Sequence, residues 1–245
     1  MYKKYLTSIL AVVFIWIGLS LIIGILLSDD FPGKIWLHRC NSMEKLYEQD
    51  DEYPNVEIDV VFRENRRFDV THDVDTSFNL SLDPYFFYMD KTDGKMWLDV
   101  KNLTKENKEE MLAELNRLVN TYHIEKDELI IESRDWRALA LFTRSGYYTS
   151  YYVPFDAPQD MDDKELNDCI IKLRRIADHK VVRALSFPGW WYPIIKERLD
   201  RSIDLLTWKH RTTQLGLLAS PMGWRMLNDN QLKVILVKDK GEYHR

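Results

Sequence analysis

Cysteine is scarce in this chain: there are two, Cys40 and Cys169, in 245 residues. A disulfide-stapled scaffold is therefore excluded, since such folds need several closely spaced cysteines. The two lie far apart in sequence and are read as unpaired, largely buried thiols that behave as small apolar side chains. An excess of basic charge is also missing. Lys and Arg number 34 against 39 Asp and Glu, a net charge of −5. Nucleic acid is thereby removed from the expected partners, because binding it needs a basic patch on a basic domain. No internal repeat and no low-complexity segment is found. With 45% hydrophobic and 30% charged residues, an ordinary globular domain is expected.

The chain is rich in apolar residues at its start. From Tyr5 to Ser28 there is no charged residue, and about 20 apolar residues suffice for a helix to span a bilayer. Lys3 and Lys4 precede the run and Asp29 and Asp30 follow it. The positive-inside rule then places the N-terminus in the cytoplasm and everything after residue 28 on the extracytoplasmic side. A cleaved signal peptide is the rival reading. Its apolar core is only about 7–15 residues long and ends at small residues, whereas Ile25-Leu-Leu-Ser-Asp-Asp30 is a poor cleavage site. Residues 1–28 are thus expected to be an uncleaved single-pass anchor with a transmembrane helix over about 5–28. A linker at 29–33 and one domain at 34–245 follow it.

Beyond the linker, eight strand-like runs alternate with helical patterns: 34–40, 55–62, 95–101, 127–133, 147–153, 181–187, 203–208 and 232–238. Helices are predicted over 105–122, 136–145, 162–178 and 191–200, with Thr104 as a cap for the first of these. Strands alternating with helices imply βαβ units and a parallel sheet. Eight such units point to an α/β fold closed as a (β/α)8 TIM barrel, with an open doubly wound sheet as the alternative. The first crossover, 42–52, is short and polar, and the last, 212–230, is irregular. Residues 63–94 are too long for a simple connection and are expected to carry extra structure, including a short strand over Phe68 to His72.

Four segments carry polar residues inside apolar surroundings: Trp36-Leu-His38-Arg39, Val56-Glu57-Ile-Asp59-Val60, Val70-Thr-His72-Asp73 and Leu98-Asp99-Val-Lys101. Side chains alternate along a strand, so Glu57 and Asp59 share one face while Val56, Ile58 and Val60 share the other. In a barrel the apolar face meets the helices, and the carboxylates point inward. Asp99 and Lys101 follow the same rule. Three carboxylates buried together need a compensating cation. Oxygen-only ligands suit a hard divalent ion, Mg²⁺ or Ca²⁺. His38 and His72 suit proton transfer near neutral pH, and Arg39 and Lys101 suit the charge of a phosphoryl group. The inventory fits phosphoryl chemistry at a bound metal.

His38-Arg39, Glu57-x-Asp59, His72-Asp73 and Asp99-x-Lys101 together resemble the signature of the glycerophosphodiester phosphodiesterases, which belong to the phospholipase-C-like phosphodiesterase barrels. The resemblance covers residues 34–103. It implies that Glu57, Asp59 and Asp99 ligate the metal, that His38 and His72 serve as the acid–base pair, and that Arg39 and Lys101 hold the phosphate. Cys40 stands where that family has Gly, and Asp99 where it has Glu. His38-x-x-Asn41 with Asp99-x-Lys101 is similar to two cousins on the same barrel, the sphingomyelinase D enzymes and the menorin-like proteins. The similarity to the latter extends to Asn79-Leu-Ser-Leu-Asp-Pro-Tyr-Phe86. Leu206-Thr-Trp208 resembles the Trp-bearing seventh strand of the family. Asn41 and Trp208 are candidate substrate contacts, and Trp190, Trp191 and Tyr192 either line an apolar substrate site or pack on the barrel.

The expected function is a metal-dependent hydrolase of a glycerophosphodiester or phospholipid-type diester, using two histidines. The expected partners are a small-molecule or lipid diester and the bilayer. The alternative is an anchored barrel that keeps the site as a binding protein without turnover.

Overall fold

The computed structural model describes residues 33–209 and 212–243, together with residues 15, 18, 19, 22 and 31. In chain order the strands are β1 (Ile35–Leu37), β2 (Val56–Phe62), β3 (Phe68–Val70), β4 (Met96–Val100), β5 (Leu129–Ser133), β6 (Tyr148–Tyr152), β7 (Ala184–Pro188), β8 (Asp204–Trp208) and β9 (Leu232–Val237). All but β3 run parallel to their neighbours, and pairing of β1 with β2 joins the two ends of the sheet. That closure makes an eight-stranded parallel barrel and rules out the open sheet. Each of the eight expected runs holds one barrel strand, with β7 reaching one residue further, to Pro188.

Period-two alternation divides the apolar residues between two cores. Trp36, Trp97, Ile130, Ala184, Leu206, Trp208, Val234 and Leu236 form the barrel interior. The alternate positions, including Val56, Ile58 and Val60 of β2 and Leu98 and Val100 of β4, join the larger layer between strands and helices. Glu57, Asp59 and Asp99 are therefore forced to the inside, and β2 and β4 hold Asp59 and Asp99 as direct neighbours in register.

The connections are more ordered than their composition implies. The short first crossover contains α1 (Met43–Gln49), capped by Ser42, whose hydroxyl accepts the Lys45 N–H at 3.1 Å. The long 63–94 connection holds β3, antiparallel to β2, and α2 (Asp83–Met89). β3 ends at Val70, so His72 sits on the loop beyond it. Next come α3 (Lys108–Tyr122), α4 (Trp136–Arg144), α5 (Asp163–His179) and α6 (Tyr192–Arg198). Asp162 and Glu165 form a capping box at the start of α5, whose Leu166, Ile170, Leu173 and Ile176 are buried. The 212–230 segment resolves into α7 (Gln214–Leu218) and α8 (Pro221–Leu227).

Thr104 is not the cap of α3. Asn107 holds that position, and its side chain closes the preceding turn instead, accepting the Thr104 N–H and donating to Asn102 O, each at 2.8 Å. The expected membrane helix falls almost wholly outside the described residues; among the described residues, no helix is long and apolar enough to cross a membrane. Cys40 and Cys169 are unpaired thiols. Burial pushes the Cys40 thiol up to about 12, so it behaves as an apolar side chain.

Candidate active site

The site begins at the turn that ends β1. Arg39 adopts a left-handed backbone (φ 56°), which costs a non-glycine residue free energy unless its surroundings hold it there. Two contacts do so. The Arg39 N–H donates to Glu57 Oε2 at 2.7 Å. Lys45, fully buried on α1, donates from Nζ to the carbonyls of His38 (3.1 Å) and Arg39 (3.0 Å). The turn thereby sets His38 Nε2 3.6 Å from Glu57 Oε2. Burial holds the His38 imidazole neutral, pushed down to about 3.

Glu57, Asp59 and Asp99 each offer a carboxylate oxygen, and the three atoms lie within 4.8 Å of one another. Glu57 and Asp59 are almost fully buried (2% and 1% exposed). Burial, then the charges of Asp59 and Asp99, push Glu57 well above the usual carboxylate range. Burial and the Asp59 charge push Asp99 up against the pull of Lys101. Asp59 differs. Burial opposes its ionisation, but Lys101, Asn41 and Arg39 outweigh it and hold the carboxyl below its ordinary value. A hard divalent cation fits this donor set, because it takes oxygen ligands and relieves the mutual repulsion that protonation otherwise relieves.

Lys101 is set between two of these acids. Its Nζ contacts Asp59 Oδ1 at 2.5 Å and also Asp99 Oδ2. Burial disfavours its charge, yet Asp99, Asp59 and Glu57 raise its pKa above the ordinary lysine value, so it stays cationic. Arg39 Nε stands 3.7 Å from Asp59 Oδ2. Asn41 is buried, and Asp59 engages both ends of its amide: Nδ2 donates to Oδ2 (2.8 Å) and Oδ1 accepts the Asp59 N–H (3.0 Å). The Asn41 amide orients a candidate ligand.

These groups open into a cavity of about 570 Å³ at the carboxyl ends of the strands, lined by His38, Arg39, Glu57, Asp59, Asp99 and Lys101 on one side. His72 also lines it, half exposed, with Nδ1 2.9 Å from Asp73 Oδ1. Trp208 ends β8 and stacks on Tyr152 of β6, the ring centroids 5.2 Å apart at 28°. Trp191 and Tyr192 are buried and belong to the outer core, with hydrogen bonds to Asp156 O and Asp229 Oδ2. Trp190 is 38% exposed.

Four residues at the site escaped the reading of the sequence: Lys45, Glu132, Arg134 and Tyr152. Glu132 is the informative omission. It is the fourth residue of β5, as Asp99 is of β4, so aligning the strands by their carboxyl ends would have found it. Burial, then the Asp99 charge, push its carboxyl well above the usual range. Arg134 lies over the Tyr152 ring, 4.6 Å from its centroid.

No family model matches the chain, and no curated protein matches it in sequence. Solved structures match it across most of its length. A glycerophosphodiester phosphodiesterase from Parabacteroides distasonis ATCC 8503 is 15% identical, covering 85% of this chain and 93% of its own, with a TM-score of 0.59. A phosphodiesterase from Oleispira antarctica, in complex with the product sn-glycerol-3-phosphate, is 12% identical, covering 86% and 94%, with a TM-score of 0.58. A calcium-dependent phosphoinositol-specific phospholipase C from a Gram-negative Pseudomonas is 10% identical, covering 84% and 89%, with a TM-score of 0.52. This chain has the barrel fold shared by the glycerophosphodiester phosphodiesterases and the phospholipase C-like enzymes.

Proposed function

We propose that the chain is a metal-dependent phosphodiesterase acting on a glycerophosphodiester or a phospholipid-type diester. The observation that carries this reading is the gathering of three carboxylate oxygens within 4.8 Å in the cavity that also presents His38, His72, Arg39 and Lys101. A binding module has no use for an acid–base pair beside a cation site. The solved structures of like fold, one holding sn-glycerol-3-phosphate and one calcium-dependent by name, support the same class of substrate and cofactor.

Glu57, Asp59 and Asp99 would hold a divalent ion, Mg²⁺ or Ca²⁺, which when bound supplies positive charge to a phosphoryl oxygen. Asn41 keeps Asp59 oriented toward it. Lys101 and Arg39 add fixed positive charge where the phosphorane develops negative charge. His38, neutral through burial, is able to take the proton of an attacking hydroxyl, whether from water or from the substrate itself. His72 sits at the mouth, where Asp73 at Nδ1 orients the ring, and gives a proton to the leaving alkoxide. Trp208 and Tyr152 offer an apolar face to the organic part of the substrate. The uncharged run from Tyr5 to Ser28 would tether this barrel to a bilayer as a single-pass anchor, with the catalytic domain on the extracytoplasmic side.

The test is hydrolysis of a chromogenic phosphodiester by the full chain in detergent, before and after EDTA treatment. Turnover that EDTA abolishes and added Mg²⁺ or Ca²⁺ restores is the expected result. Metal binding without turnover on any diester tried would replace the enzyme with the anchored binding protein.

A further inference from the structure

Glu132 has no part in the reaction just outlined. It is the Cα partner of Asp99 across the β4–β5 pair, so its side chain points inward beside Asp99, and it lines the same cavity. It is 1% exposed, and its Oε2 has no hydrogen-bond partner. Ser186 Oγ, near enough to favour the ionised form, donates instead to Tyr151 O at 3.2 Å. Three further buried polar atoms nearby lack a hydrogen-bond partner: Arg39 Nε and Trp97 Nε1, whose residues also line the cavity, and Oγ of Ser150, the Cα partner of Glu132 on β6.

A carboxylate in this position is expensive. Burying it with one oxygen left unpartnered is unfavourable, and the neighbouring inward residue on the same strand, Ile130, is an apolar side chain of the barrel interior. The acids of the cavity meet cationic side chains at Arg39 and Lys101.

We propose that Glu132 is a fourth carboxylate of the cation site, acting on the ion held by Glu57, Asp59 and Asp99 from one strand further round the barrel. This rests on the metal reading above. Groups in the ring around metal ligands typically change affinity by about 10–100-fold when removed. Glu132 is therefore a positioning residue whose charge tunes the ion, retained at a cost to the ion-free fold.

The experiment is calorimetric titration of Mg²⁺ and of Ca²⁺ into the full chain in detergent, comparing wild type with Glu132→Gln, together with thermal melting with and without ion. E132Q is expected to bind the ion at least about 10-fold more weakly. Its ion-free form should melt at or above the wild-type temperature, and saturating ion should raise that temperature less. A merely structural residue would instead lower the ion-free melting temperature and leave affinity unchanged. Glu132→Asp, which keeps the charge, should bind more tightly than E132Q. Glu132→Ala gives the same comparison if E132Q misfolds. Wild-type affinity in E132Q overturns the proposal and leaves the triad standing, whereas a wild type that binds neither ion overturns both.

Discussion

β2, β4, the turn after β4 and β5 line one side of the cavity with Glu57, Asp59, Asp99, Lys101 and Glu132, whereas β6, β8 and β9 line the other with Tyr152, Trp208 and Leu236. The acidic wall works against the stability of the ion-free fold. Its carboxyls are buried, two of the triad are pushed toward protonation, and the hydrogen bonds that orient them come from a strained turn at Arg39 and a buried amide at Asn41. The aromatic wall works for stability, since Trp208 and Leu236 are continuous with the barrel interior. Setting one against the other has a chemical consequence. An apolar face opposite a charged one thins the water between them and strengthens each charge–charge interaction across the cavity. The barrel spends fold stability on one side and recovers it on the other.

Variants on the two walls are expected to fail differently. The largest effect is expected for the proton carriers. His72→Ala, at a half-exposed position that the core does not need, should lower kcat by roughly 10²–10⁴-fold. Metal affinity and melting temperature should stay at wild-type values. Loss of metal binding in that variant would merge the two functions that the geometry keeps apart.

Next in size is Asn41→Ala. Its amide holds Asp59 at both ends, so the acidic wall should lose about 10–100-fold in divalent-ion affinity. Saturating ion should restore most of the turnover. Unchanged affinity would return Asn41 to the list of candidate substrate contacts.

The smallest effect belongs to the aromatic wall. Trp208→Leu removes the stack on Tyr152, an interaction worth about 0.5–1.5 kcal/mol beyond burial. KM should rise about 2- to 10-fold with kcat nearly constant, the mark of binding shared by ground and transition states. A fall in kcat at constant KM would move Trp208 from recognition into the chemistry.

Much of the acidic wall was legible because it is local. In Val56-Glu57-Ile58-Asp59-Val60 and Leu98-Asp99-Val100-Lys101 the alternation alone assigns each residue to a face, and the structure keeps those assignments, with Val100 at the strand end joining the outer core while also bordering the cavity. Glu132 carried the same alternation in Leu129–Ser133, but one carboxylate beside a serine gives no cluster to notice until β5 is set against β4. Lys45 was invisible for another reason. In α1 it reads as an ordinary helix lysine, and only the return of α1 onto the β1 turn places its ammonium under two carbonyls. Tyr152 and Arg134 likewise become site residues through the strands that bring Trp208 and the acids around to face them. Thr104 was misread because a threonine before a helical pattern is a sound cap signal, whereas the competing Asn107–Asn102 contact is a matter of three-dimensional turn geometry.

By itself the amino-acid order determined the strand and helix alternation, the inward face of each strand, and the set of acids, imidazoles and cations available, because these follow from side-chain periodicity and residue chemistry within a few neighbouring positions. Closure of β1 onto β2, the level at which each strand meets its neighbour, and hence which carboxylates share one ion, were decided by tertiary structure. Register across a barrel is set by the packing of two cores at once, and no single segment contains that information.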